Sequence, residues 1–299
     1  MATGRKYWLR LAVAGLLPLA GSAAEAKPAP KAARPAMWKV ADSDTTVYLF
    51  GTIHLLPEGQ SWRTAQMDSA LASADELVLE VANVDDMMAS AQAMAKLGTS
   101  PGLPKIAERV PEAKRAALRA MIAETGIPEA VFDRLETWAA ALPLLGVTFK
   151  RLGLDPSLGV ERQIGTPFRT SGKKVTGLET VEQQLGYFDA LSEEAQRALL
   201  LSVVEDSAET RAQFKAMMEA WASGDLKGIE RTFDDETQMS PELKAALMSR
   251  RNAAWAEWLA KRMEKPGTVF VAVGAGHLAG ADSVQRMLKK KGLKAKRVQ

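Results

Sequence analysis

Cysteine is absent and histidine almost so: the 299 residues contain none of the first and two of the second, His54 and His277. Without cysteine there is no disulfide, no thiolate ligand for a metal, and no acylated cysteine to tether a lipoprotein behind a signal sequence. A long apolar run is also missing. The best candidate, residues 11–20, falls short of the roughly 20 residues a membrane-spanning helix needs. Charge of one sign is not in excess, since 39 Lys and Arg face 36 Asp and Glu. Nothing in that balance argues for nucleic acid. H-E-x-x-H, G-x-S-x-G and phosphate-binding loop patterns do not occur. The usual metalloprotease helix, the serine-hydrolase elbow and P-loop chemistry are therefore unsupported.

The first 26 residues read as a secretory signal. Arg5, Lys6 and Arg10 precede the short apolar stretch, and Ala24-Glu25-Ala26 fits a small-x-small cleavage site. Residues 27–36 form a Pro/Ala/Lys linker, expected to be extended and mobile. Residues 37–299 are then one globular domain in the periplasm or outside the cell, with no stable membrane span once the signal is removed.

Both histidines sit in one kind of local frame. Val47-Tyr48-Leu49-Phe50 runs into Gly51-Thr52-Ile53-His54-Leu55, and Phe270-Val271-Ala272-Val273 runs into Gly274-Ala275-Gly276-His277-Leu278. Each is a β-rich run followed by Gly-x-x-His-Leu. Around the first, strands are expected at residues 38–40, 46–50 and 76–81, with a helix over 61–74, a βαβ order that implies parallel pairing. Residues 85–149 have helical periodicity. A helix is expected over 158–164, a strand at 174–178, helices over 180–190 and 192–221, and another from Ser240 through Trp258. Residues 268–273 form an apolar strand of the kind buried on both faces. A helix over 281–291 and a strand at 293–298 close the chain. The fold class is α/β: a mixed or parallel sheet built from two strand–Gly-x-x-His–helix–strand halves, with a long helical insertion between them.

In open α/β sheets the binding crevice lies beyond the carboxyl ends of the strands, and His54, Glu80, Glu179 and His277 all fall at such ends. Gly51 and Gly274 are expected to turn the chain off its strand, and Gly276 to let backbone approach a ligand. Two imidazoles and one carboxylate make a common open set for a divalent metal, which would lower the pKa of a bound water. A second carboxylate would serve as general base or hold a second metal. Arg251 would steady an oxyanion or a substrate carboxylate. Plainer readings stay open: Glu80 paired in a salt bridge with Arg251, Glu179 as an ordinary acidic residue of a first helical turn, and Arg250-Arg251 on a solvated face. Trp255 and Trp258, three residues apart on a helix, read as core packing.

The chain resembles the TraB/PrgY/GumN family, related to the Tiki metalloproteases. The resemblance rests on Tyr48-Leu49-Phe50-Gly51-Thr52-Ile53-His54, Leu77-Val78-Leu79-Glu80, Gly177-Leu178-Glu179-Thr180 with Glu182-Gln183-Gln184-Leu185, Arg251-Asn252 with Trp255-Ala256, and Val273-Gly274-Ala275-Gly276-His277-Leu278 with Gly280. It implies a metal-dependent hydrolase of the Tiki-like kind, most simply a peptidase, holding Mn²⁺ or Co²⁺, with Zn²⁺ as a third choice. His54, His277 and Glu80 match the metal ligands, while Glu179 and Arg251 match further family positions. Two rivals stand beside it. One is a periplasmic protein that binds peptide or polysaccharide without turnover, and the other is a metal-dependent hydrolase of some other small polar substrate.

Overall fold

In a computed structural model, residues 33–83, 86–205, 208–234 and 240–299 are described; the expected signal at residues 1–26 lies outside them. In chain order, β1 (Met37–Ala41), β2 (Thr45–Thr52) and the two-residue β3 (Leu56–Pro57) lead to α1 (Ala65–Ser73) and β4 (Glu76–Val81). The insertion contains α2 (Met87–Leu97), α3 (Arg115–Thr125), α4 (Glu129–Phe132) and α5 (Thr137–Arg151). Then come β5 (Leu154–Asp155), α6 (Val160–Thr170), β6 (Lys174–Glu179), α7 (Val181–Asp189), α8 (Glu193–Val204), α9 (Ala208–Ser223) and α10 (Leu226–Asp234). After α11 (Pro241–Lys244), a π turn at Ala245–Ser249 leads into α12 (Arg250–Arg262), and the chain ends with β7 (Gly267–Gly274), a 3-10 turn at Ala275–Leu278, α13 (Val284–Lys290) and β8 (Lys296–Arg297).

The main sheet has six strands in the order β6-β4-β7-β2-β1-β8. The first four run parallel, and β1 and β8 add antiparallel pairing at one edge. The fold is thus α/β with a mixed sheet, as the element order implied. The βαβ unit differs in one respect. β2 and β4 are parallel but not neighbours, because β7 lies between them. Its run Val269-Phe270-Val271-Ala272-Val273 is buried throughout, and a strand apolar on both faces is stable only in the middle of a covered sheet.

Alternation along these strands sets the layers. Phe50, Leu77, Leu79, Phe270 and Ala272 pack toward Met67 of α1, Ile164 and Phe168 of α6 and Trp221 of α9. Val47, Leu49, Val78, Val269, Val271 and Val273 pack toward Trp255 and Leu259 of α12 and Leu288 of α13. Glu80, two residues after Val78, therefore shares the α12 side. The insertion has its own core, in which Leu118 and Met121 of α3 meet Leu144 of α5 and Leu200 of α8.

Several boundaries moved for local reasons. α1 starts at Ala65, not residue 61, because the Thr64 hydroxyl caps it by accepting from Met67 N at 3.1 Å. Trp62 is thereby left free to pack on Phe50, with ring centroids 6.1 Å apart. The helix expected over 192–221 is two, α8 and α9, and α6 begins at Val160 and continues past residue 164 to Thr170. The last strand shrinks to Lys296–Arg297, whose partners are Trp38 and Lys39. The end of the expected linker is tied down: Arg34 N donates to Ala222 O at 2.7 Å, and Gln299 Nε2 donates to Pro35 O at 2.8 Å. Among the described residues no helix is long and apolar enough to cross a membrane.

Candidate functional site

The position of β7 joins the two halves of the site. In the β2–β7 pairing Gly51 faces Val273 and Thr52 faces Gly274, so the two Gly-x-x-His segments leave adjacent parallel strands one residue out of step. Their exits differ. β2 passes through a bend at His54 to β3, and the His54 side chain keeps 57% of its surface exposed. β7 winds directly into the 3-10 turn, and His277 is buried at 5%. Matching frames in the sequence thus give one open and one enclosed imidazole.

Glu80 lies between them. Its Oε1 accepts from Gly274 N at 2.8 Å and stands 3.7 Å from His277 Nε2 and 4.0 Å from His54 Nε2. Gly274 makes this approach possible through its size. Its φ is −49°, so the chain turns off β7 here into the 3-10 segment without a left-handed backbone. A Cβ built on Gly274 would stand 3.2 Å from Glu80 Oε1 and 3.3 Å from His54 Nε2. The missing side chain leaves a space that the imidazole and the carboxylate share. Gly51 serves close packing in the same way, since a Cβ there would lie 3.1 Å from Ala275 Cα.

Both imidazoles are held from behind through Nδ1. His277 Nδ1 is 2.6 Å from Asn252 Oδ1, and Asn252 Nδ2 donates to Asp282 O at 2.8 Å. That second bond orients the amide, so Oδ1 faces the ring, Nδ1 carries the proton and Nε2 is left as an acceptor. Burial pushes the His277 pKa down to about 3, keeping the ring neutral. His54 Nδ1 lies 2.8 Å from Glu161 Oε1, which also accepts from Thr52 Oγ1. The Glu161 charge raises His54 to about 9, with burial opposing and Glu80 adding to the rise. Because the ring is more than half exposed, solvent screens this pair. Glu161 is lowered in turn: burial acts the other way but is outweighed by His54 and the Thr52 hydroxyl.

Arg251 closes the opposite side. Its Nη2 donates to Glu80 Oε2 at 2.5 Å and to Glu179 Oε2 at 2.8 Å, its Nε donates to Glu179 Oε1 at 2.9 Å, and its Nη1 is 3.3 Å from His277 Nε2. Trp255 Nε1 donates to Glu179 Oε1 at 2.9 Å, and the guanidinium carbon lies 4.7 Å from the centroid of that indole. Glu179 therefore stands behind Arg251 with both oxygens engaged, and Trp255, expected only as core, is part of the site. For Glu80, burial acts to raise the pKa, but His277, His54 and Arg251 together bring it down to about 2. With His277 neutral, the guanidinium and the Gly274 N–H still hold the carboxylate ionised, so the direction stands.

All five residues expected from the sequence meet here. Glu161 does not figure among the residues singled out from the sequence, and Thr52 and Asn252 appear there only inside motifs, with no role of their own. Glu161 had a legible signal: it falls on the buried face of α6 with Val160, Ile164 and Phe168, where an acidic side chain needs a partner. Nothing in the sequence pointed to which partner.

Two buried carboxylates, Glu80 and Glu179, share the Arg251 guanidinium, and a third, Glu161, pairs with His54. A cleft of about 280 Å³ opens on this side, lined by His54, Glu80, Glu161, Arg162 and Gln184 with Leu55 and Pro156. The donor types suit a divalent cation. Glu80 Oε1 is 3.7 and 4.0 Å from the two Nε2 atoms, and donors each about 2.1 Å from a shared ion lie at most about 4.2 Å apart. As the side chains stand, however, no group of three or more His, Asp or Glu among the described residues is arranged to hold a metal ion.

Gly159 fixes the open histidine. Its Cβ would lie 2.1 Å from His54 O, and the next residue, Val160, donates its N–H to Ile53 O at 3.1 Å. Gly159→Ala is expected to force the His54 segment off α6, lowering stability by about 1–3 kcal/mol and impairing any activity of the cleft. Denaturant unfolding measures the first effect; an unchanged midpoint contradicts it.

The sequence profile of the TraB/PrgY/gumN family matches residues 36–297. The chain is 27% identical over 246 residues to "Uncharacterized protein YbaP" of Escherichia coli (strain K12), covering 81% of this chain and 87% of the relative. Shigella flexneri has a protein of the same description with the same figures. An "Uncharacterized protein" of Treponema pallidum (strain Nichols) is 22% identical over 269 residues, covering 86% of this chain and 80% of the relative. No solved structure matches.

Proposed function

Since the chain belongs to the TraB/PrgY/gumN family, we propose that it is an exported metal-dependent hydrolase of the Tiki-like kind, a peptidase working in the cleft beside His54. One observation carries the reading: the two imidazoles are tied back through Nδ1, and both Nε2 atoms converge on a single oxygen of Glu80. Such outer hydrogen bonds are the usual support of metal-bound histidine. His54, His277 and Glu80 would hold Mn²⁺, Co²⁺ or Zn²⁺, which when bound supplies a water acidic enough to act as a nucleophile near neutral pH. Arg251 stabilises charge at the carbonyl, and Glu179 fixes Arg251. Export to the periplasm or beyond belongs to the same reading and rests on the basic and apolar N-terminal residues.

Dialysis against a chelator is expected to abolish hydrolysis of a peptide panel, and Mn²⁺, Co²⁺ or Zn²⁺ to restore it. Unchanged turnover without metal overturns the proposal. Cation uptake should also displace the His54 proton, so affinity falls as the pH drops below the value near 9. Calorimetric titration in buffers of different ionisation enthalpy counts that proton. The Arg251 contacts favour one rival, because a guanidinium already balancing Glu80 suits a protein that binds peptide or polysaccharide without turnover. Metal-independent binding with no product on long incubation selects it.

A further inference from the structure

We infer that Glu161 is the positioning residue of the His54 half of the site, its carboxylate holding the ring so that Nε2 faces Glu80 and the cleft. The role as support for a metal ligand rests on the function proposed above; the orientation of the ring does not.

Four observations converge. Glu161 is 6% exposed and lies on the apolar face of α6. A carboxylate there costs free energy that a leucine would not, unless it is paired. The described ion pair it makes is with His54 Nδ1 at 2.8 Å. The same oxygen, Oε1, also takes the Thr52 hydroxyl, so it is committed as an acceptor and the ring nitrogen facing it must be the one bearing hydrogen. The two histidines differ in need. His277 is enclosed, lies 4.4 Å from the Trp255 ring centroid and is bonded to Asn252. His54 is 57% exposed and would rotate or change tautomer without a partner. Finally, Gly159 and Val160 lock the start of α6 to the His54 backbone. One rigid contact thus places the carboxylate relative to the ring it orients.

With two histidines in the chain, a long-range ¹H–¹⁵N correlation spectrum shows four ring nitrogens and is assigned by His54→Ala. Recorded at a pH high enough for the His54 ring to be neutral, the wild type is expected to show both rings protonated at Nδ1 and bare at Nε2. Glu161→Leu should shift His54 toward the Nε2-protonated form and leave His277 unchanged, whereas Glu161→Gln, which keeps an acceptor oxygen, should restore the wild-type pattern. In calorimetric titration, affinity for Mn²⁺ or Co²⁺ should fall about 10- to 100-fold in Glu161→Leu and recover in part in Glu161→Gln. If Glu161→Leu does not fold, Glu161→Ala is read in the same way. A wild-type His54 pattern in the variant lacking the acceptor overturns the inference. If the tautomer moves but the wild type binds no cation, the positioning role holds and the metal-dependent reading fails.

Discussion

His54→Ala is expected to reduce turnover by about 10³-fold or more, as removal of a ligand or proton-transferring group at a reacting centre does. The fold should survive. The ring is half in solvent, and its loss removes little packing. What it leaves is a buried Glu161 that keeps the Thr52 hydroxyl but has lost its other partner, at a cost of about 1–3 kcal/mol. Adding Glu161→Gln should return most of that stability and none of the activity. His277→Ala should be as inactive but less stable, since it empties a buried site against Trp255 and leaves Asn252 Oδ1 without its donor. Turnover on the peptide panel together with thermal melting separates these effects, and a fully active His54→Ala variant would sink the site assignment.

Arg251→Met is the second large effect, and it falls on stability. Glu80 and Glu179 are both buried and share this guanidinium. Removing one partner of a buried pair costs about 3–5 kcal/mol because the remaining charge is left uncompensated. The sign of the pH dependence follows from Glu80. In the wild type its pKa is lowered from 4.5 to about 2, so its contribution is complete above 4.5 and is lost as the pH falls toward 2. Without Arg251 the carboxyl would fold more readily with a proton on it. The deficit of the variant should then be largest near neutral pH and shrink as the medium becomes acidic. Urea unfolding of both proteins at neutral and mildly acidic pH measures this; a deficit that does not change with pH would show that Arg251 acts through packing instead of charge.

Local patterns carried much of the architecture. β-rich apolar runs marked β2, β4 and β7, and the helix expected from residue 180 is α7, which the structure starts with a Thr180 capping box because a hydroxyl followed three residues later by Gln satisfies two free backbone N–H groups. Boundaries were read less well where a single hydrogen bond outweighs periodicity, as at Thr64 ahead of α1. The central strand was recognisable as buried, but its neighbours were not. Pairing in a parallel sheet is a long-range choice, and the residues that choose it here, Glu76 with Val269 and Val47 with Val269 among them, lie far apart in the chain.

The same division runs through the site. By itself the sequence determined its ingredients, two Gly-x-x-His segments, Glu80, Glu179 and Arg251, each near the carboxyl end of a strand or on the covering helix, because residue type and local period are properties of neighbouring positions. Tertiary structure alone decided that β7 enters between β2 and β4, that one histidine is enclosed while the other stays open, that Arg251 is shared by two carboxylates, and that Glu161 arrives from α6 behind His54. Those outcomes depend on which faces of distant segments are buried together. Burial is settled by the packing of the whole sheet and its helices, and no short stretch of the chain contains that information.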